Sequence, residues 1–165
     1  MTDKQTLFNE TKIMLGQLGF SIVQEDTDRP WGGFFVIDEN QAINFAEKYF
    51  PGENIDELKI TKKLSPKILM VAPHKRLSWQ YHHRRAEIWK CIKGTVGVVT
   101  SDTDTEQLQH TLHVGDIIKL KQGERHRLIG LDDWGIVAEI WQHTDTANPS
   151  DEDDIVRVQD DFSRK

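Results

Sequence analysis

The stretch Gln80-Tyr81-His82-His83-Arg84-Arg85-Ala86-Glu87 packs an amide, two imidazoles, two guanidiniums and a carboxylate into eight residues. If it opens as a strand, the two-residue period places Gln80 and His82 on one face. A short turn and the next strand, Glu87-Ile88-Trp89-Lys90-Cys91-Ile92, then bring Glu87 back opposite them. A fourth donor must come from elsewhere. His126 is the natural choice, because it opens an apolar run, Leu128-Ile129, after the turn Gln122-Gly123-Glu124. One histidine alone is ordinarily structural, whereas several donors at this spacing point to a metal. Two imidazoles, a carboxylate and a neutral amide suit a divalent first-row ion such as zinc, manganese or iron.

Outward from this stretch, short β-branched and aromatic runs recur at 68–72, 88–92, 96–100, 117–120, 127–129 and 136–141. Turn-forming groups separate them, among them Lys93-Gly94, Ser101-Asp102, Val114-Gly115-Asp116 and Leu131-Asp132-Asp133. Closely spaced short strands predict an antiparallel sandwich or barrel and not a parallel sheet with crossover helices. Upstream, apolar residues at helical spacing predict an amphipathic helix over 4–20 stopped near Gly19, and a second helix over 40–50 ends before Pro51-Gly52. Between them, Arg29-Pro30-Trp31-Gly32 reads as a turn into the apolar strand Gly33-Phe34-Phe35-Val36-Ile37. The chain thus divides into an N-terminal helical and strand extension (1–64), a β core (65–144) and an acidic tail (145–165). Composition alone suggests a solvated tail, but the apolar dyad Ile155-Val156 is expected to dock it on the core.

At 165 residues the chain is one domain with appendages, large enough to bury a core without disulfides. The net charge is −6, and the tail from Asp145 to Lys165 holds seven acids and three bases. The body is therefore nearly neutral. It lacks the basic surplus of a nucleic-acid binder but has room for a local cationic pocket. The single cysteine, Cys91, lies in an apolar run and excludes both a disulfide framework and an all-cysteine metal site. No apolar run approaches the ~18 residues of a membrane span. The expectation is a soluble protein of a reducing compartment, most simply the cytoplasm.

Two motifs carry a family resemblance. The first cupin motif, G-x5-H-x-H-x4-E-x6-G, is met with every interval kept by His74, Gln80, His82, Glu87 and Gly94. The second, G-x5-P-x-G-x2-H-x3-N, is met by Gly115, Lys121, Gly123, His126 and Gly130. More narrowly, the segment from Leu77 to Trp89 resembles the L-S-x-Q-x-H-H-H-R-A-E-x-W motif of the type II mannose-6-phosphate isomerase cupin, which also occurs fused behind a mannose-1-phosphate guanylyltransferase. Arg29-Pro30-Trp31-Gly32, Lys93-Gly94-Thr95 and Glu152-Asp153-Asp154-Ile155-Val156-Arg157 extend the likeness over 29–164, leaving the first helix and the insertion 40–64 outside.

The resemblance implies an all-β cupin jelly roll with added N-terminal helices, and Gln80, His82, Glu87 and His126 as ligands of one divalent metal ion. Zinc is the first choice, with manganese, cobalt, nickel or iron as alternatives. It further implies a cytoplasmic homodimer that isomerises a sugar phosphate, mannose 6-phosphate to fructose 6-phosphate through an enediol, with a heptose phosphate as another substrate. Neither nucleic acid nor membrane is expected as a partner. Arg85 matches the family arginine and is the candidate catalytic residue. Arg84, Lys67, Trp79 and Arg157 are candidates for substrate binding, and Arg76 is a lesser cation. Three departures stand near the expected pocket: Arg84 for a third histidine, His74 for a glycine and Lys121 for a proline. Alternation turns His83 away from the ligand face, and the residues name no general base. His110 and His113 read as surface residues. A non-catalytic, sugar-phosphate-binding cupin is the second reading. An iron oxygenase is a third, disfavoured by glutamine at position 80.

Overall fold

The computed structural model describes residues 3–59 and 63–164. Residues 60–62, in the insertion, and Lys165, the last residue of the acidic tail, lie outside the described residues, as do Met1 and Thr2. Helix α1 (Lys4–Gln17) is capped by Asp3, whose side chain accepts from the Thr6 backbone N–H. It ends where Gly19 turns to a positive φ of 86°, which glycine adopts without strain. A β-hairpin follows, β1 (Ile22–Arg29) and β2 (Gly32–Ile37), reversing at Pro30-Trp31. A single 3-10 turn (Glu39–Gln41), α2 (Ala42–Tyr49) and the short α3 (Ile55–Leu58) complete the upstream part. The predicted helix over 40–50 therefore begins as a tighter turn.

The remaining strands are β3 (Lys67–Val71), β4 (Trp79–Tyr81), β5 (Arg85–Lys93), β6 (Thr95–Ser101), β7 (His110–His113), β8 (Ile117–Leu120), β9 (Arg125–Gly130), β10 (Gly135–His143) and β11 (Val156–Gln159). They form two antiparallel sheets, ordered β1-β2-β3-β10-β5-β8 and β11-β4-β9-β6-β7. This is the jelly-roll sandwich with N-terminal helices that the motif spacing implies. The polar strand β1, with its exposed Gln24 and Glu25, carries no apolar run and escaped the sequence reading.

Alternation along the central strands explains why they read as continuous apolar runs. On β3, Ile68 and Met70 face Leu7, Phe8, Leu15, Phe45 and Phe50 of the helical layer and its flanks. Leu69 and Val71 face Val96, Val98 and Leu128 of the second sheet. On β10, Ile136, Ala138 and Ile140 join the helical side and Val137 the sandwich interior. The middle of the larger sheet is buried on both faces, so β2, β3 and β10 are apolar at nearly every position. The helices thereby close one side of the sheet and leave its other face to build a site.

The acidic tail is not a solvated appendage. Strand β11 pairs with β4, setting Arg157 opposite Gln80. Just before it, Ser150 and Asp154 are buried against the turn between β4 and β5.

Candidate metal centre and its cavity

Gln80 and His126 are register partners on β4 and β9, in the smaller sheet. Glu87 comes from β5 of the larger sheet, opposite Trp141 of β10, and His82 follows the end of β4. All four side chains are buried between the sheets. His82, Glu87 and His126 each offer a donor atom, all within 4.8 Å of one another. His82 Nε2 lies 3.3 Å from Glu87 Oε2, and His126 Nε2 lies 3.4 Å from Glu87 Oε1.

The outer nitrogens determine what the inner ones can do. His82 Nδ1 donates to the Asp154 carbonyl at 2.7 Å, and His126 Nδ1 donates to the Glu124 carbonyl at 3.0 Å. A carbonyl only accepts, so in each neutral ring the proton sits on Nδ1 and the Nε2 lone pair faces Glu87. This is the arrangement of a metal-ligating histidine. Burial, reinforced by Arg85 and His126 against the pull of Glu87, pushes His82 down to about 3, keeping it neutral. Burial alone would raise Glu87, but the Arg85 guanidinium donating to its Oε2 helps to hold the carboxyl well below its ordinary value. Glu87 Oε1 is buried with no hydrogen-bond partner among the described residues. A charged oxygen left so, facing the lone pair of His126, is costly unless a cation compensates it, so the donor set fits a divalent ion.

Gln80 stands beside the three. Its Oε1 accepts from Ser78 Oγ at 2.6 Å, and its Nε2 lies 3.5 Å from His126 Nε2. Amide oxygen and nitrogen are assigned from such networks, and a half-turn of the amide directs Oε1 to the cluster instead.

Arg85 is 5% exposed and fully engaged within the protein. Its Nε donates to Glu87 at 2.7 Å, its Nη1 to Ser150 Oγ and the Asp151 carbonyl, each at 2.9 Å, and its Nη2 reaches His82 Nε2 at 3.2 Å. Its guanidinium stacks 3.6 Å over Trp141. Arg85 thus orients two ligands from behind.

A cavity of about 360 Å³ opens beside Gln80 and Glu87. The indoles of Trp31, Trp89 and Trp141 line it, with the cations Arg29, Lys67, Arg85, Arg157 and Arg164. Of the candidates for substrate binding, Lys67 and Arg157 therefore face the cavity, whereas Trp79 and Arg84 do not. Trp79 is turned away and donates from Nε1 to the Asp104 carbonyl at 2.8 Å. The alternation that puts Gln80 inside necessarily puts its neighbour on the other face. Arg84 sits in the turn, 3.6 Å from Asp151 and 3.8 Å from Asp154. His83 is exposed and held by its backbone N–H to Asp154, Lys121 is exposed, and Arg76 pairs with Asp161. His110 and His113 lie exposed on the edge strand β7.

Several lining residues went unread in the sequence. Glu139, the lone acid in β10, is 4% exposed and lines the cavity. Its isolation within an apolar run was the available signal. Arg29 stands in the Arg29-Pro30-Trp31-Gly32 match but carried no assigned role, and Arg164, near the end of the described chain, gave no local sign.

Comparison with known proteins follows the same outline. The chain is 31% identical over 132 residues to a mannose-1-phosphate guanylyltransferase of Sinorhizobium fredii, covering 80% of this chain and 20% of that protein. It is 35% identical over 63 residues to the alginate biosynthesis protein AlgA of Pseudomonas aeruginosa, covering 38% of this chain and 13% of that one. The chain therefore spans about a fifth or less of the length of these relatives. Among solved structures, the capsular polysaccharide assembling protein CapF of Staphylococcus aureus superimposes with a TM-score of 0.57 at 11% identity, over 82% of this chain and 34% of that one. An oxalate oxidase does so at 0.53 and 18% identity, over 81% and 58%. These likenesses support the cupin fold. Residues 42–160 match the model of the mannose-6-phosphate isomerase C-terminal family, and the chain belongs to that family.

Proposed function

We propose that the chain is a metal-dependent aldose–ketose isomerase of sugar phosphates, with mannose 6-phosphate and fructose 6-phosphate as the first pair and a heptose phosphate as the alternative. The observation that carries this is the convergence of two imidazole nitrogens on the Glu87 carboxylate, whose Oε1 has no hydrogen-bond partner among the described residues, at the wall of a polar, indole-lined cavity. A divalent cation held by His82, Glu87 and His126, with Gln80 as a neutral fourth donor, supplies Lewis acidity toward the charge that develops on sugar oxygens during enolisation. Zinc is the first choice for these ligands.

The chain's own residues do the rest. Arg29 and Arg157 bring guanidiniums to the cavity wall for a phosphate dianion, a group that guanidinium can contact through two N–H donors. The indole of Trp31 gives a sugar ring apolar surface to pack on, while Trp89 and Trp141 form the wall behind it. Arg85 fixes the ligand carboxylate. The proposal includes a cytoplasmic homodimer, for which the edge strands β7 and β8 offer backbone groups.

The test is a coupled assay of mannose 6-phosphate conversion with zinc, manganese or cobalt added, extended to other aldose phosphates. Metal-dependent turnover abolished by a chelator is the expected result. Absence of turnover across the panel overturns the isomerase reading. A second reading, a sugar-phosphate-binding cupin without activity, is favoured by Arg85 Nη2 already resting on the His82 lone pair. Binding without conversion would support it.

A further inference from the structure

Glu139 has a position the metal centre does not explain. Along β10 it points with Val137 and Trp141 away from the helical layer, and its carboxylate lines the cavity that Glu87 also lines. Two indoles fix it: Trp89 Nε1 donates to Oε1 at 2.8 Å and Trp141 Nε1 donates to Oε2 at 3.1 Å. Each oxygen keeps a lone pair beyond those bonds. Directly opposite in the β3 register is Lys67, itself 6% exposed. The Lys67 ammonium lies 4.5 Å over the Trp141 ring and 5.0 Å over that of Phe34, and pairs with Glu152 at the cavity wall. A buried acid and a buried base, side by side and facing a polar cavity, have the form of a proton-transfer pair.

Resting on the isomerase reading above, we propose that Glu139 is the general base that carries the proton between C2 and C1 of the bound aldose phosphate, and that Lys67 is its acid–base partner at the sugar oxygens. Glu139 takes the proton from C2, and the C2–H electron pair becomes the C1=C2 double bond. The carbonyl π pair moves to O1, which takes a proton from Lys67. In the return half, the O2 hydroxyl gives its proton to Lys67, its O–H pair forms the C2=O2 bond, and C1 takes the proton from Glu139. Both residues end as they began, and no co-reactant is consumed.

The electrostatics agree with the geometry. Burial raises Glu139 to about 7, with Glu87 adding to it and Lys67, Arg85 and Trp89 pulling back. Burial lowers Lys67 to about 8, with Glu139 and Glu87 opposing and Arg85 and Arg29 assisting. Both groups therefore exchange protons near neutrality. The other carboxylate at the centre, Glu87, is tied to Arg85 and the ligand histidines, and His83 is outside.

The experiment compares wild type with Glu139→Gln and Glu139→Asp, each loaded with zinc. It follows turnover of mannose 6-phosphate, loss of its C2 hydrogen by proton NMR, its binding by calorimetry, and metal content. For Glu139→Gln, turnover and C2–H cleavage fall about 10²- to 10⁴-fold while sugar-phosphate binding and metal content are retained. Glu139→Asp, which keeps the charge for the two indoles, falls between that variant and wild type. Either variant matching wild type overturns the proposal, as does a parallel loss of turnover, binding and metal, which would mark a merely structural role. Those outcomes leave the isomerase reading standing. A wild type inactive on the whole aldose phosphate panel overturns both.

Discussion

His126 Nε2 faces Glu87 Oε1 across 3.4 Å with no proton of its own to place between them, because its other nitrogen spends the proton on the Glu124 carbonyl. Two acceptors turned toward each other in a buried site repel unless something positive lies within reach. Arg85 neutralises the other oxygen of the carboxylate, leaving Oε1 for a cation. The chemistry proposed for this chain follows from that unbalanced pair.

The first prediction concerns the tail. The buried Asp154 carboxylate accepts from the backbone N–H of His83 at 3.0 Å, that of Arg84 at 2.9 Å and Ser150 Oγ at 2.6 Å, while its own carbonyl orients His82. Asp154→Ala strands three donors, so it should cost about 2–3 kcal/mol of stability. With the tail no longer held beside His82, metal affinity should fall about 10- to 100-fold. Chemical denaturation and a competitive zinc titration check the two numbers. An unchanged affinity would detach the tail from the metal site.

A pH effect follows from His143, which is buried on β10. Its Nδ1 accepts from the Ser150 N–H at 2.9 Å, so its Nε2 donates to Ser65 Oγ at 3.0 Å and the ring is neutral. Burial, with Lys63 and Arg85 assisting against Asp154, lowers it from 6.5 to about 4. The unfolded chain binds a proton that the folded chain refuses. Stability is therefore full above about pH 6.5 and falls as pH drops toward 4, by about 3 kcal/mol in all. Thermal melts from pH 7 to 4 should show a shallower decline for His143→Gln than for wild type. Parallel curves would contradict the assignment.

The guanidiniums of Arg29 and Arg157 at the cavity wall predict a salt-sensitive phosphate contact. Arg29→Met and Arg157→Met should each weaken binding of mannose 6-phosphate by about tenfold while binding of unphosphorylated mannose stays unchanged. Isothermal calorimetry at two ionic strengths separates the charge from the sugar. Equal losses for both ligands would move the phosphate elsewhere.

Much of this site was legible in the residues, for a reason that is local. Gln80, His82 and Glu87 lie within eight residues on the consecutive strands β4 and β5 and the turn that carries the chain from one sheet to the other, so local spacing decides which side chains converge, and His126 is set by its spacing from a turn. Alternation, applied strictly, excludes Trp79, whose neighbour Gln80 takes the inner face. What the sequence hid depends on contacts between distant segments. Asp154 and Ser150 lie in an acidic tail whose composition resembles solvated chain, and only the β11–β4 pairing reveals their burial. Glu139 sits in a strand whose apolar neighbours announce the core, and the cavity beside it has no linear signature.

One departure from the family pattern has a steric cause. Gly130 stands where the second cupin motif has asparagine, and a Cβ there would fall 1.9 Å from the Ala72 carbonyl oxygen. The turn after β3 approaches closely, and the Gly130 N–H donates to the Lys75 carbonyl at 2.7 Å. Restoring the family residue by Gly130→Asn should therefore destabilise the protein by about 1–3 kcal/mol. A urea midpoint equal to or above that of wild type would refute this.

The most direct test of the central claim is the metal content of the purified chain, by mass spectrometry, beside that of Glu87→Gln. The account predicts one divalent ion per wild-type chain and, in a variant that remains folded, almost none. A wild type that retains no metal after zinc loading, or a Glu87→Gln variant that binds as much as wild type, would contradict it.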